Sequence, residues 1–180
     1  CPLADPSLLK LLNERGYRPI EYSNVFTREL TEDDSRAWPD LTSEVRVRRP
    51  AEDEAESYSL VVARSFFENT EISPAFLSVF TGCFYAAGAF FFMAEVGGVP
   101  AGGGMMSIHQ GVASLGGAGT LAEFRNRGVQ RALLLARLAV AFENGCDLAM
   151  VATQPGSGSQ RNVERQGFRV VYTRTKFLKE

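Results

Sequence analysis

The sequence predicts an α/β fold, a mixed sheet flanked by helices, and three observations carry that prediction. Three strand patterns follow one another between residues 89 and 121, a long helical pattern enters directly behind them, and an apolar strand pattern returns at Asp147 once that helix has ended. Strands in quick succession joined by tight turns read as an antiparallel meander. A strand, a helix and a neighbouring strand read as a parallel pair with a crossover. The chain has 180 residues, enough for one well-buried core and too few for two full domains.

The elements follow in order. Pro6 to Glu14 is a short helical pattern ended by Gly16, and Tyr17 to Leu30 is extended. Thr31 to Ser43 is polar, contains Pro39 and reads as a linker. Glu44 to Arg49 alternates as a strand. Ala51 to Phe67 begins with an acidic turn, which suits the positive end of a helix dipole, and continues at helical spacing. A second helix, Pro74 to Ala87, puts Phe76, Val79, Phe80, Cys83, Phe84 and Ala87 on one face, the expected core side. Its other face, with Leu77, Ser78, Thr81 and Tyr85, is weakly polar and suits a substrate pocket or a subunit contact in a homodimer. The meander strands are Ala89 to Val96, Ala101 to Ile108 and Val112 to Leu121. Arg127 to Asn144 is a Leu- and Ala-rich helix capped by Gly145. Asp147 to Thr153 is a strand, Ser157 to Arg165 a short helix, and Phe168 to Leu178 the last strand.

The order helix, glycine, strand occurs at both ends of the chain. A shift of 151 positions aligns Gly16 with Gly167, Tyr17 with Phe168, Arg18 with Arg169, Ile20 with Val171, Phe26 with Phe177 and Arg28 with Lys179. Spacing alone leaves a true repeat and a chance match both open. A true repeat of that period makes residues 1–30 the tail of a second copy, and the chain does not begin with Met.

Composition narrows the function. The net charge is -2, with acids and bases interspersed, so no basic stripe marks a nucleic-acid partner. Cys1, Cys83 and Cys146 are odd in number and far apart, which implies neither a disulfide framework nor a metal cluster, and points to a reduced cytoplasmic setting. The single histidine, His109, sits in a predicted hairpin turn and cannot hold a metal unaided. Residues Ile72 to Ala94 carry no charge and are long enough to cross a bilayer. Pro74, Gly82 and Gly88 interrupt them, and Glu68, Glu71 and Glu95 flank them without Lys or Arg, so helix, turn and strand fit better than a membrane span. No basic start precedes an apolar run, so no signal peptide is expected.

The chemistry concentrates where the third meander strand ends. There Arg125-Asn126-Arg127-Gly128-Val129-Gln130-Arg131 leads straight into the long helix. The first helical N–H groups have no internal partner, the dipole is positive, and Gly128 lets an anion approach the main chain. Three arginines at the end of a helix dipole that disfavours cations suit a bound polyphosphate, or else a solvated surface. The run lacks Gly-Lys-Ser/Thr, so a nucleotide-triphosphate loop is not expected. Gly117-Ala118-Gly119-Thr120-Leu121-Ala122 formally matches the dinucleotide fingerprint G-x-G-x-x-A. The helix begins too late for it, however, and Asp147 stands at the start of the next strand instead of an acid at its end.

The run resembles motif A of the GNAT N-acetyltransferase superfamily, Q/R-x-x-G-x-G/A, at the same strand-loop-helix junction. Arg125 and Gly128 match, and Gln130 replaces the final small residue. The resemblance covers about Glu44 to Glu180, including Gly167-Phe168 after a short helix like the family's second motif. It implies a GNAT-like mixed sheet with its parallel pair at the cofactor site. It divides the chain into residues 1–30 as the tail of a degenerate N-terminal copy, 31–43 as a linker and 44–180 as the acetyltransferase domain. It implies acetyl-CoA as cosubstrate, with Ala118, Gly119 and Thr120 hydrogen-bonding the pantetheine arm. Arg125, Asn126, Arg127, Gly128, Val129, Gln130 and Arg131 then hold the pyrophosphate. Asn162, on the short helix, is a further cofactor contact or a capping or surface residue.

The implied reaction is acetyl transfer to a primary amine of a small molecule or peptide. Orientation, a polarising N–H and proton removal are what the protein must supply. The family often places a carboxylate on the strand before the loop, but Val112 to Leu121 has none. The position where it often has a tyrosine is Val163. Tyr172, Tyr85 and water are the substitutes on offer, so no catalytic acid or base is assigned. Glu68 and Glu71 are candidates for binding a cationic amine, or solvated acids. The competing readings are an acyl-CoA module without catalysis, an interaction domain built on the aromatic second helix, and a dinucleotide-binding protein.

Overall fold

The computed structural model describes residues 4–36, 44–68 and 70–179. In chain order the elements are α1 (Pro6–Glu14), β1 (Tyr17–Glu29), α2 (Glu32–Arg36), β2 (Val45–Arg48), α3 (Ala55–Phe66), α4 (Pro74–Phe84), β3 (Ala89–Val96), β4 (Val99–His109), β5 (Val112–Thr120), α5 (Val129–Glu143), β6 (Leu148–Thr153), α6 (Gly158–Arg165) and β7 (Arg169–Lys179). Two compact units divide them, Glu29–Ala149 and a second made of Cys1–Arg28 with Met150–Glu180.

The larger unit is built on the predicted meander, with β2, β3, β4 and β5 antiparallel in that order. Gln110 and Gly111, both at positive φ, form the β4–β5 turn, a geometry whose twist matches that of the strands it joins. The N–H groups of Asp147 and Leu148 donate to the Gly111 carbonyl at 2.9 and 3.4 Å, so β6 starts level with β5 and parallel to it after the α5 crossover. Successive glycines of β4 show what covers the sheet. A Cβ on Gly103 would strike Val62 and Tyr58 of α3, whereas one on Gly102 or Gly104 would meet Val129 or Arg137 of α5. Alternate strand residues face opposite sides, so α3 and α5 cover the two faces. The core lies between them, with Phe92, Met93, Met106, Leu133 and Leu138 fully buried.

One expectation stands here and two change. The charge-free stretch at 72–94 resolves into α4, a turn and β3, and no helix among the described residues is long and apolar enough to cross a membrane. The expected core face of α4 is only partly used: Phe80 and Phe84 pack toward Tyr58 and Phe91, while Val79 is 71% exposed and no α4 residue is fully buried. One pair of side chains one turn apart suffices to seat a helix along one edge of its apolar face. The segment read as a linker opens with α2, packed on α5, and the buried Asp34 carboxylate in its first turn accepts from the Thr31 N–H at 2.9 Å. Its remaining residues, 37–43, lie outside the described ones.

In the smaller unit β1 lies between β6 and β7, and the two segments aligned by the 151-residue shift pair with each other. Arg18 faces Leu178 and Thr27 faces Arg169; Tyr22 faces Thr175 and Asn24 faces Thr173; exchanging each residue for its shifted equivalent returns the same pairs. The irregularities obey the same exchange. Ile20 is the extra residue of β1 and Val171 that of β7, each 59% exposed. Two bulges at positions related by the same shift are not a consequence of antiparallel pairing alone. Gly16 and Gly167 end the preceding helices α1 and α6 with φ of 77° and 83°.

Candidate functional site

The site is the junction of β5 with α5 in the larger unit. After Thr120 the chain makes a 3-10 turn over Ala122–Phe124, passes Arg125 to Arg127 and enters α5 behind Gly128. Asn126 and Gly128 both have left-handed backbones, φ 60° and 84°. The helix therefore begins at Val129, two residues later than the expected Arg127, because Gly128 turns the chain rather than continuing it. No side chain caps this end and no acid stands in the first turn. The N–H groups of Val129, Gln130 and Arg131 consequently point out of the helix end without an internal acceptor. A Cβ on Gly128 would meet no protein atom within 4 Å, and Gly128 is exposed, so the space over those groups is open.

The arginines are disposed unequally. Arg125 pairs with Glu68 at the end of α3, and Arg127 pairs with Glu44 ahead of β2 while standing over the Phe124 ring at 5.6 Å. Arg131 is exposed on the first turn of α5. Carboxylates from two other segments thus account for part of the cationic loop, a partnership that no local sequence pattern announced. Gln130 has a role that its departure from the motif concealed: its side-chain amide donates to the Thr120 hydroxyl at 2.9 Å, tying the first turn of α5 to the end of β5.

The glycine run divides into two functions. A Cβ on Gly119 would overlap Ser65 of α3 at 1.6 Å, so that glycine is required by helix packing. Gly116 faces open space, and Gly117 is exposed with φ 53°. Between them the register of β4 and β5 slips: Gly103 faces Gly119 and Met105 faces Gly116, leaving Gly117 and Ala118 opposite Gly104 alone. This is a bulge, the device by which a strand opens its ladder and turns main-chain groups outward. Ala118, Gly119 and Thr120 are therefore continuous with the open segment, the last two buried.

Beside the junction lies a cavity of about 440 Å³ lined by Leu60, Arg64, Glu68, Glu71, Ile72 and Glu123 among others. Glu68 belongs both to this cavity and to the Arg125 pair, so the cavity and the loop share a wall. Asn162 is in the smaller unit, exposed on α6, where its side-chain oxygen accepts from Arg165 at 3.5 Å. Tyr172 is also in the smaller unit, and Tyr85 is 63% exposed at the end of α4.

An uncapped helix behind a bulged strand and an arginine-bearing turn gives this α/β domain an open helix start of the kind that suits an anion. The sequence profile of the acetyltransferase (GNAT) family matches residues 26–168, and the chain belongs to that family. Among solved structures it resembles a GCN5-related N-acetyltransferase from Kribbella flavida, at 22% identity and a TM-score of 0.69 over 97% of this chain and 64% of that one. It also resembles a tandem GNAT protein from the clavulanic acid biosynthesis pathway, at 19% identity and a TM-score of 0.69 over 97% and 58%. An aminoglycoside acetyltransferase from an uncultured soil metagenomic sample, in complex with sisomicin, matches at 14% identity and a TM-score of 0.56 over 68% and 86%. At these identities the likeness is one of fold. The chain spans less than two-thirds of the length of the first two. No curated protein matches it.

Proposed function

We propose that the chain transfers the acetyl group of acetyl-CoA to a primary amine of a small molecule or peptide in the cytoplasm. The observation that carries this reading is the open, uncapped start of α5, where Gly128 leaves main-chain donors clear for the pyrophosphate. Arg125, Arg127 and Arg131 add charge there, with Asn126, Val129 and Gln130 shaping the turn. From the loop the pantetheine arm runs back along β5 over Thr120, Gly119 and Ala118, and the thioester lies at the bulge. The amine gives up its ammonium proton to solvent, its nitrogen attacks the thioester carbonyl, the C–S bond breaks, a second proton leaves the nitrogen to solvent as the amide forms, and the sulfur departs as thiolate and is protonated from solvent. Glu68, Glu71 and Glu123 give the adjoining cavity a negative lining suited to an amine that arrives protonated.

A thermal-shift titration tests binding, because a ligand specific for the folded state raises the midpoint with concentration. Acetyl-CoA at a hundred times its Kd is expected to stabilise by about 2.7 kcal/mol. No shift would sink the cofactor reading. Thiol release over a panel of amines then separates a transferase from an acyl-CoA module without catalysis, a distinction raised by the carboxylate-free β5.

The symmetric pairing of β1 with β7 supports a second proposal about organisation: residues 1–30 are the helix-strand tail of a degenerate N-terminal copy, joined at 31–43 to the transferase domain at 44–180.

A further inference from the structure

Arg137 is the buried charged side chain of α5, and the cofactor loop leaves it unexplained. It is 4% exposed on the third turn, and no carboxylate among the described residues pairs with it. Its Nε donates to the Leu133 carbonyl at 2.9 Å, and its Nη1 to the carbonyls of Met105 at 3.3 Å and Gly116 at 3.4 Å. From the opposite face of the sheet the buried Tyr58 hydroxyl donates to the Gly104 carbonyl at 2.9 Å. Burial pulls the guanidinium down to about 10 and pushes the phenol up, so at neutral pH both keep their protons.

A buried cation without a counter-ion is costly unless dipoles surround it. Here those dipoles are the carbonyls that frame the bulge. Gly104 and Met105 are the β4 residues at the slip, and Gly116 is the β5 residue just before Gly117 and Ala118 leave the ladder. The Gly116 carbonyl and the Gly117 N–H belong to one peptide unit. A cation on that carbonyl draws electron density from the peptide and makes its N–H a stronger donor, the cooperative polarisation expected of hydrogen bonds in series. Gly117 is exposed and Gly116 faces open space, so the strengthened peptide lies on the open side of β5. It stands roughly 10 Å upstream of Thr120 along the strand, on the path back from the phosphate loop.

We propose that Arg137 and Tyr58 are positioning residues: they hold the bulge from its two sides, and Arg137 polarises the Gly116–Gly117 peptide toward the thioester oxygen of the cofactor. The proposal rests on the acetyl-CoA reading above. It assigns the pair to recognition of the acyl end, leaving the grip on the rest of the cofactor to the loop.

The test is calorimetric titration of the whole chain with acetyl-CoA and with free CoA, for wild type, Arg137→Met, Arg137→Lys and Tyr58→Phe. Arg137→Met keeps the volume and removes the charge. It is expected to leave CoA affinity within about twofold and to weaken acetyl-CoA by roughly tenfold, the scale of a lost hydrogen bond to a charged network. Arg137→Lys restores most of the acetyl preference, because a cation returns to the same carbonyls. Tyr58→Phe, which removes one hydroxyl, shows the same selective loss at smaller size and carries the test if Arg137→Met does not fold. Wild type binding neither ligand overturns the cofactor reading and this proposal with it. Wild type binding both, with the variants weakening both ligands equally or neither, overturns the roles of Arg137 and Tyr58 alone.

Discussion

The two ends of β5 handle positive charge in opposite ways. Beyond Thr120, Arg125 and Arg127 are part-exposed and hold Glu68 and Glu44, surface carboxylates that a polyphosphate can replace. At the bulge, Arg137 is buried and bonded to main-chain carbonyls. Exposed ion pairs are worth about 0.2–1 kcal/mol, so exchanging them for phosphate is easy, whereas a buried cation deprived of its acceptors is heavily destabilised. The difference separates two tasks. Charge that must meet a ligand is kept mobile and hydrated, and charge that shapes the main chain is kept fixed and dry.

The sharpest way to break the loop end is Gly128→Glu, which sets bulk and negative charge over the open N–H groups. Loss of acetyl-CoA affinity by roughly a hundredfold, about 2.7 kcal/mol, is expected in titration calorimetry. Gly128→Ala is the control for backbone strain, since φ 84° disfavours any side chain by roughly 1–2 kcal/mol while nearby protein atoms leave the space free. Unchanged binding in the glutamate variant removes the pyrophosphate from this loop.

The exchangeable pairs allow a test with opposite signs. Arg125→Gln removes a phosphate partner and should weaken acetyl-CoA by about fivefold, with a flatter dependence on salt. Glu68→Gln removes the competing carboxylate and should tighten acetyl-CoA by up to about fivefold, the upper range of an exposed pair. The same change strips the cavity of one acid, so the KM of a cationic amine rises. Both variants moving the cofactor affinity in one direction would mean that the pair is structural rather than exchangeable.

Sequence pattern was a good guide where a physical signal is local. The meander, the strand-helix-strand crossover and the loop at the start of α5 all follow from turn residues, periodicity and the open N–H groups of a helix, and all of them stand in the structure. The partnerships were not legible, because they are long-range. Glu44 and Glu68 lie 83 and 57 positions from the arginines they hold, and their own surroundings in sequence are ordinary. Arg137 did leave a signal, a lone cation inside Leu133-Leu134-Leu135-Ala136-Arg137-Leu138-Ala139-Val140, where a solvated residue is out of place. The glycines look alike in sequence and differ in the structure: the space beside Gly119 belongs to Ser65, Gly116 faces open space, and Gly117 is exposed beside Met105.

Gln130 lies between the two ends and tests whether they are mechanically joined. Its amide bonds the Thr120 hydroxyl, which is buried, and so links the phosphate-facing turn to the strand that leads back to the bulge. Gln130→Leu leaves that hydroxyl without its donor, which costs about 1 kcal/mol in urea denaturation, and loosens the turn enough to weaken acetyl-CoA by about two- to fivefold. Thr120→Val added to Gln130→Leu removes the stranded hydroxyl, and replacing both partners by apolar groups of similar shape is close to neutral. The double variant should therefore recover most of the stability. Recovered stability with affinity still reduced would show that the Gln130 amide fixes the turn for the phosphate; recovery of both would make the hydrogen bond a packing detail, with the small residue usual at this position of the motif equally able to serve.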